Sequence, residues 1–322
     1  MPTTAVSLFS GCGGFDLGAT RAGVQILWAN DIDRHAAATY RKYLPEVDFR
    51  LEDIWDVGMD VLPQADILIG CYPCQGLSAA AWRKWRTRSK RDLLKNPENY
   101  HFLAFMRAIP HVEPQFVFIE NVGGLQSSAQ GYFFRAQKEM LELIGYRVLS
   151  DKLNARDYGA AQSRDRVFIV GVRGDLGYEY RFPTKTHGPG RLHHYRTQWD
   201  AIGGMPMWPT GEFEEIRFHG HYVTRNRKRP WHMPSYTIVA HSHHVPLAPW
   251  GEPMVKLRKD TWALQGTINR RLSWRECAHL QSFGDFEPSG NLKAKYAQIG
   301  NAVPPLMGEL LVRPAVRFIE EE

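Results

Sequence analysis

The chain has 322 residues, 43% of them hydrophobic and 23% charged, which is typical of a globular protein with a full core. No stretch approaches the roughly 20 apolar residues of a membrane-spanning helix, and the N-terminus lacks the basic and apolar regions of a signal peptide. Composition therefore excludes a membrane span, and we expect a cytoplasmic protein. Four cysteines in a chain of this size argue against a disulfide framework.

The net charge of +6 is concentrated in two clusters. The first cluster has one acid, Asp92, among seven basic residues: Arg83, Lys84, Arg86, Arg88, Lys90, Arg91 and Lys95. The second cluster consists of Arg225, Arg227, Lys228 and Arg229. Such runs are often only solvated surface or localisation signals. Because tryptophans (Trp82, Trp85, Trp231) lie among them, we predict a groove that binds a polyanion such as nucleic acid.

Strand-like and helix-like patterns alternate over the first 175 residues. The predicted strands are 5–10, 25–29, 66–70, 116–119 and 166–172, and the predicted helices are 15–22, 33–44, 101–109 and 132–144. This alternation predicts an α/β fold, with a doubly wound, mostly parallel sheet and helices on both faces.

The pattern changes after residue 174. Residues 175–270 are rich in Pro, Gly, His and Trp, and their strand-like runs are short. We therefore predict one domain from 1–174, completed by 296–322, and a smaller, loop-rich domain with a hinge over 175–295. Ser273 and Glu276 form a capping-box pattern that begins a helix. The segment from Val303 is predicted to be helical, with a kink or interruption at Pro314.

Cys74 follows the apolar run 66–70, so we expect its thiol at the carboxyl end of a buried strand. This is where open α/β sheets bind ligands, and a thiol there favours nucleophilic chemistry. Cys71 and Cys74 also form a C-x-x-C pattern. A thioredoxin-like redox pair therefore stays an alternative, whereas a zinc site would need further ligands.

A glycine-rich segment, Ser10-Gly11-Cys12-Gly13-Gly14, follows the first strand and opens a helix. Its glycines let the backbone approach a ligand at a helix N-terminus. Asp16 stands where the dinucleotide fingerprint G-x-G-x-x-G needs glycine, which disfavours a nicotinamide-dependent oxidoreductase. Asp31 lies at the end of the second strand and could accept hydrogen bonds from ribose hydroxyl groups. The segment predicts a cofactor that contains a nucleoside.

Two further charged groups are expected near this sheet edge. Glu120 follows the strand at 116–119 and could transfer a proton near the thiol. Arg164 and Arg166 are two residues apart, so they share a face if the strand has begun. They could bind a phosphate or a carbonyl oxygen, or be plain surface charges.

Together these residues resemble the DNA cytosine-5 methyltransferase family, and the match covers nearly the whole chain in order. The matching segments are Phe9–Gly14, Asp31-Ile32, Asp53-Ile54, Pro73-Cys74-Gln75, Glu120-Asn121-Val122, Gln162-x-Arg164-x-Arg166, Arg271–Cys277 and Gln298–Pro304. Each motif is weak by itself, but seven or more in fixed order are specific.

The resemblance implies S-adenosylmethionine as cofactor, bound by Phe9, Ser10, Gly11, Gly13, Gly14, Asp31, Ile32, Asp53, Ile54, Pro73, Asn301 and Val303. It also implies that a cytosine is flipped out of double-stranded DNA and attacked at C6 by Cys74. Glu120 would engage N3 and the amine, and Arg166 would hold O2. Arg164 would support the site as a fourth catalytic residue. No metal is implied, and His241, His243 and His244 are interpreted as a loop that faces DNA or solvent.

The same resemblance assigns DNA contacts to Gln75, Ser78, Arg83, Lys84, Arg86, Arg88, Arg225, Arg227, Lys228 and Thr237. The 175–295 region then becomes a target-recognition domain for a specific short site, in a monomer that can accompany a separate restriction endonuclease. Leu77 and the stretch 79–82 depart from the family pattern. A tRNA methyltransferase is disfavoured because its Cys-Phe-Thr segment is lacking. Intact Cys74, Glu120 and Arg166 disfavour a catalytically silent DNA-binding relative.

Overall fold

A computed structural model describes residues 1–73 and 93–321 of the chain. Its main sheet has the strand order β3-β2-β1-β4-β5-β7-β6. The strands are β1 Thr4–Leu8, β2 Gln25–Asp31, β3 Asp48–Leu51, β4 Ile67–Gly70, β5 Phe116–Val122, β6 Tyr146–Asn154 and β7 Asp165–Arg173. A separate two-stranded sheet pairs β8 Val255–Arg258 with β9 Thr261–Ala263. The predicted α/β fold with a mostly parallel sheet is confirmed.

Helices cover both faces of the main sheet. The helices on the sheet are α1 Gly14–Arg21, α2 Arg34–Tyr43, α3 Phe102–Val112, α4 Tyr132–Leu143 and α8 Pro305–Glu321, whereas α5 Gln198–Ile202, α6 Trp274–Leu280 and α7 Leu292–Asn301 pack in a separate cluster. One apolar core contains residues of α1, α2 and α8, and a second core, on the opposite face, contains residues of α3 and α4. Within the described residues, no helix is both long and apolar enough to span a membrane.

The direction of one strand, β7, distinguishes this sheet from a fully parallel one. The strands from β3 through β5 pair in parallel, whereas β7 runs antiparallel to both β5 and β6. Strand order reverses between β1 and β4, which creates a crevice at their carboxyl ends. Because β7 is antiparallel, its first residues lie at this same edge.

Two strands of the main sheet, β3 and β6, were not predicted from the sequence, and neither were β8 and β9 of the small sheet. β3 is a short edge strand with only Phe49 buried, and β6 is the other edge strand, with mainly polar residues on its open side. Edge strands need little apolar surface, so their hydrophobic pattern is weak.

Side-chain caps begin α2, α5, α6 and α7. Asp33 accepts hydrogen bonds from His35 N and Ala36 N and so begins α2, and the capping box of Ser273 and Glu276 begins α6 as predicted. The predicted interruption at Pro314 is wrong, because α8 continues through it to Glu321. Helix α8 buries its apolar side in the core along its length, which offsets the hydrogen bond lost at the proline.

The region after residue 175 contains little regular structure. Its core is a separate apolar cluster that includes Ile202, Ile238 and Trp274, and Cys12 of the glycine-rich segment also joins it. Tyr180, just past the predicted domain boundary, still packs in the core of the main sheet. The division at residue 175 stays a prediction.

Candidate active site

The crevice at the carboxyl ends of β1 and β4 opens into a cleft of about 1140 Å³. Every predicted cofactor residue except Gly13 lines it, and so do Glu120 and Arg166. Gly13 instead packs against the ring of Tyr40. The strand ends thus bring together side chains that are up to 294 positions apart in sequence, from Phe9 to Val303.

The glycine-rich segment forms a tight turn between β1 and α1. Gly11 has a φ of +56°, and Phe9, which is not a glycine, also has a left-handed φ of 57°. Such strain in a bulky residue persists only where the surroundings hold it, and it is concentrated at functional sites. The Phe9 ring makes edge contacts with Tyr72 and His101.

Gly14 is required because two chain segments approach closely at the start of α1. A Cβ at this position would lie 2.3 Å from the carbonyl oxygen of Val303 and 2.9 Å from Ala302 Cβ. Any larger residue would push apart the first and last segments of the chain, and both line the cleft.

Asp31 lies at the end of β2 with its carboxylate held by backbone amides. The N–H of Gly11 donates to Oδ2 at 2.8 Å, and the N–H of Asp33 donates to Oδ1 at 2.9 Å. A carboxylate oxygen has two lone pairs, so each oxygen can still accept a hydrogen bond from a hydroxyl group of a ligand in the cleft. This arrangement fits the ribose of a nucleoside cofactor.

Glu120 and Arg166 form a buried ion pair in the cleft, with Arg166 Nε 2.8 Å from Glu120 Oε1. The pair depends on the antiparallel pairing of β5 with β7, in which Val122 lies opposite Arg166 and Glu120 opposite Phe168. Burial raises the pKa of Glu120, while the positive charges of Arg166 and Arg164 oppose this rise. A carboxyl group in this environment can both donate and accept a proton.

Arg164 does not reach the cleft, which corrects its prediction as a catalytic residue. Its guanidinium is 1% exposed and donates to the carbonyl oxygens of Ile238 at 3.0 Å, Gly300 at 2.9 Å and Ala302 at 2.9 Å. Gln162 is similarly buried and accepts a hydrogen bond from Ile238 N at 2.9 Å. These two residues join the start of β7 to the region after residue 175 and to the end of α7.

A cluster of histidines that the sequence did not assign to the site also lines the cleft. His221, His241 and His244 line the cleft together with Arg225, and their rings are close, with centroids of His221 and His244 4.3 Å apart. Among the described residues, no group of three or more His, Cys, Asp or Glu could hold a metal ion. Burial lowers the pKa of His221 to about 3 and that of His244 to about 4. Both rings are therefore neutral at neutral pH.

Lys228 is a second correction, because the structure buries it away from any DNA groove. Its ammonium is bound by the oxygens of Glu252 (2.8 Å), Ile268 (3.1 Å) and Asn269 (3.0 Å), and the residue is 3% exposed. Desolvation lowers the pKa of this amine to about 8.

The other predicted DNA contacts of this region differ in their surroundings. Arg225 lines the cleft, whereas Arg227 contacts the Nδ1 atom of His221 at 3.1 Å. The hydroxyl of Thr237 donates to Ser163 O at 2.6 Å. Their DNA contacts stay predictions.

Seven predicted site residues lie outside the described residues: Cys74, Gln75, Ser78, Arg83, Lys84, Arg86 and Arg88. Pro73, the last described residue before them, lines the cleft. His101 was missed by sequence reasoning although it also lines the cleft. Its Nδ1 atom is 2.7 Å from Glu98 O, and a lone histidine at a helix start carries no signal for such a position.

Similarity to known proteins agrees with this geometry. The chain is 34% identical to the Type II methyltransferase M.BspRI of Lysinibacillus sphaericus, over 97% of this chain and 81% of that protein. It is 33% identical to M.BsuRI of Bacillus subtilis, over 98% of this chain and 80% of that protein. The S. pombe Dnmt2 methyltransferase structure shares the fold, with a TM-score of 0.70 at 17% identity over 99% of both chains.

A family-wide comparison identifies the chain more directly. The model of the C-5 cytosine-specific DNA methylase family matches residues 3–315. This range includes the glycine-rich segment, the Glu120–Arg166 pair and the segment Gln298–Pro304. The chain therefore belongs to the C-5 cytosine-specific DNA methylase family and is a DNA (cytosine-5)-methyltransferase.

Proposed function

We propose that the protein methylates C5 of a specific cytosine in double-stranded DNA, with S-adenosylmethionine as cofactor and Cys74 as a covalent nucleophile at C6. The observation that carries the proposal is the buried Glu120–Arg166 ion pair, 2.8 Å apart, in the same cleft as the glycine-rich segment and Pro73. Attack of a thiolate on C6 needs a proton to be shared with the ring. Glu120 of this pair can share that proton, and it lines the same cleft as Pro73, the residue before Cys74.

The residues divide the chemistry among them. S-adenosylmethionine supplies a methyl group activated by its sulfonium charge. Cys74 adds to C6 of the flipped cytosine, and Glu120, with its raised pKa, shares a proton with N3 as electrons move into the ring. Arg166 holds O2 and keeps Glu120 in place. Once C5 carries the methyl group, solvent water takes the C5 proton. The electron pair of that C–H bond re-forms the C5–C6 double bond and expels Cys74 as a thiolate.

The residues that would hold the cofactor fit its shape. Asp31 presents both carboxylate oxygens towards a ribose, since backbone amides already fix its orientation. The Phe9 ring, Ile32 and Ile54 supply apolar surface in the cleft, and the start of α1 supplies backbone N–H groups for the carboxylate of the amino-acid end.

DNA would meet the cleft on the side lined by Arg225 and the histidines. We propose that the region from residue 175 to 295 recognises the target site and that the basic residues from Arg83 to Lys95 contact phosphates. In this proposal the enzyme acts as a cytoplasmic monomer on sites that a separate restriction endonuclease would otherwise cut.

Covalent trapping tests the proposal. Bisulfite sequencing of DNA from cells that express the protein first identifies the methylated site. A duplex with 5-fluorocytosine at that position should then form a complex that survives denaturation, but only with S-adenosylmethionine present, because the fluorine cannot leave as a proton does. The matched control is Cys74→Ala, which should bind DNA without forming the complex. A methylated site combined with no trapped complex would contradict the Cys74 mechanism.

A further inference from the structure

Asp16, which stands where the dinucleotide fingerprint needs glycine, has a buried carboxylate just after the glycine-rich segment. It lies in the first turn of α1 and is 1% exposed. Its Oδ1 accepts a hydrogen bond from Ser7 Oγ at 2.8 Å, and its Oδ2 accepts one from Tyr40 Oη at 2.7 Å. Ser10 Oγ lies 3.1 Å from Ser7 Oγ, and Ser10 lines the cleft. A chain of hydroxyl groups thus connects the carboxylate to the cleft.

The charge of Asp16 has no cationic partner within the part of the chain that the structure describes, since its two bonding partners are both hydroxyl groups. Burial raises its pKa to about 6, while the bonds from Tyr40 and Ser7 oppose the rise. Asp16 is therefore still ionised at pH 7.5. An unpaired buried charge is costly, and an asparagine could fill the same space and bond to the same hydroxyl groups.

The field of this charge reaches the lining of the cleft. Cys12 and Cys71 both line it. Burial is the largest cause of the raised pKa of each thiol, and the negative charge of Asp16 adds to the rise in both. Asp31 adds to it as well, and Glu120 does so at Cys71. The charge of Asp16 therefore acts on groups at two separate points of the cleft lining.

We propose that ionised Asp16 is a specificity-determining residue that favours the cationic cofactor S-adenosylmethionine over its neutral product S-adenosylhomocysteine. The two molecules differ in the sulfonium methyl group and its charge, so an anion that touches neither can still separate them. This inference rests on the proposed cofactor. At an effective dielectric constant of about 20, two opposite unit charges about 12 Å apart attract each other strongly enough to give a tenfold preference.

Titration calorimetry on the DNA-free protein tests the inference. Asp16→Asn keeps the volume and the hydroxyl contacts but removes the charge. It should weaken S-adenosylmethionine binding about tenfold and change S-adenosylhomocysteine binding less than about twofold. Tyr40→Phe is the matched control, with all variants measured at pH 8.5. It removes one of the two hydrogen bonds to Asp16, and the higher pH keeps the carboxylate ionised although the loss of that bond raises its pKa. This variant should change the affinity for both molecules by the same factor.

The outcomes separate this inference from the proposed function. Equal loss of affinity for both molecules in Asp16→Asn, or no loss for either, would overturn the role of the charge and leave the cofactor assignment intact. Wild-type protein that binds neither molecule would overturn the cofactor, and this inference with it. Thermal melting checks that each variant is folded, and Asp16→Ser, which is smaller and keeps a hydroxyl, replaces Asp16→Asn if the amide is not tolerated.

Discussion

The carboxyl edge of the main sheet and the region after residue 175 show two ways in which a sequence places functional groups. At the sheet edge, Asp31 and Glu120 lie at strand ends, and the topology alone brings them to one cleft. In the region after residue 175, two basic residues that are close in sequence have different surroundings. Arg225 lines the cleft, whereas Lys228 is buried and donates to three oxygen atoms. Regular elements make position predictable, whereas in irregular segments each side chain depends on long-range contacts.

The largest expected effect tests the sheet edge. Glu120→Gln removes the titratable carboxyl group and keeps its shape, so we expect the single-turnover methylation rate to fall by about 10²–10⁴-fold, the usual contribution of a general acid or base. Cofactor affinity, measured by calorimetry, should change much less. Exposed Glu113→Gln is the control. A rate within about twofold of wild type would remove Glu120 from the chemistry.

The two arginines of the Q-x-R-x-R element should separate stability from catalysis. Arg164→Ala leaves three buried carbonyl oxygens without their donor, and we expect a loss of about 3–5 kcal/mol in the free energy of unfolding. Arg166→Ala should mainly lower the methylation rate. Urea unfolding and single-turnover kinetics on both variants measure this difference. If Arg164→Ala were as stable as wild type, its contacts would contribute nothing.

Asp16 gives a pH-dependent prediction. Its folded-state pKa is raised from 3.8 to about 6, so its contribution to stability is full below about pH 4 and is lost as the pH rises through about 6. Asp16→Asn lacks this loss. Its free energy of unfolding relative to wild type should therefore increase by about 2.4 kcal/mol between pH 4 and pH 7. Urea unfolding across this range measures the difference, and a constant difference would show that Asp16 does not titrate there.

The smallest effect distinguishes the two basic residues of the second region. Arg225→Ala should weaken DNA binding and reduce the slope of log affinity against log salt by about 1, as expected for one lost phosphate contact. Lys228→Met should leave that slope unchanged and lower stability instead, because its buried oxygens lose their donor. Fluorescence anisotropy over a range of salt concentrations measures both slopes. A reduced slope for Lys228→Met would place Lys228 on the DNA.

Local patterns in the sequence identified the glycine-rich segment, Asp31 and Glu120, and the resemblance to the family supplied most of the other cleft residues. The apolar runs before Glu120 and the glycines before α1 each mark the end of a buried strand. Sequence reasoning failed where pairing decided the outcome. Nothing local shows that β7 runs antiparallel, yet a parallel β7 would have put Arg166 at the opposite edge from Glu120. Nor does spacing reveal that Arg164 turns away from the cleft while Arg166 enters it.

The sequence by itself determined most of the central strands and the helices packed on them, the α/β class and the set of motifs that define the family. These features depend on periodicity, glycines and capping residues, which act over a few positions. Only the tertiary structure decided which charged residues face the cleft, how Glu120 is paired, and that Asp16 is buried against the hydroxyl groups of Ser7 and Tyr40. Those outcomes depend on contacts between segments far apart in the chain, where burial and hydrogen-bond partners come from residues that no local pattern includes.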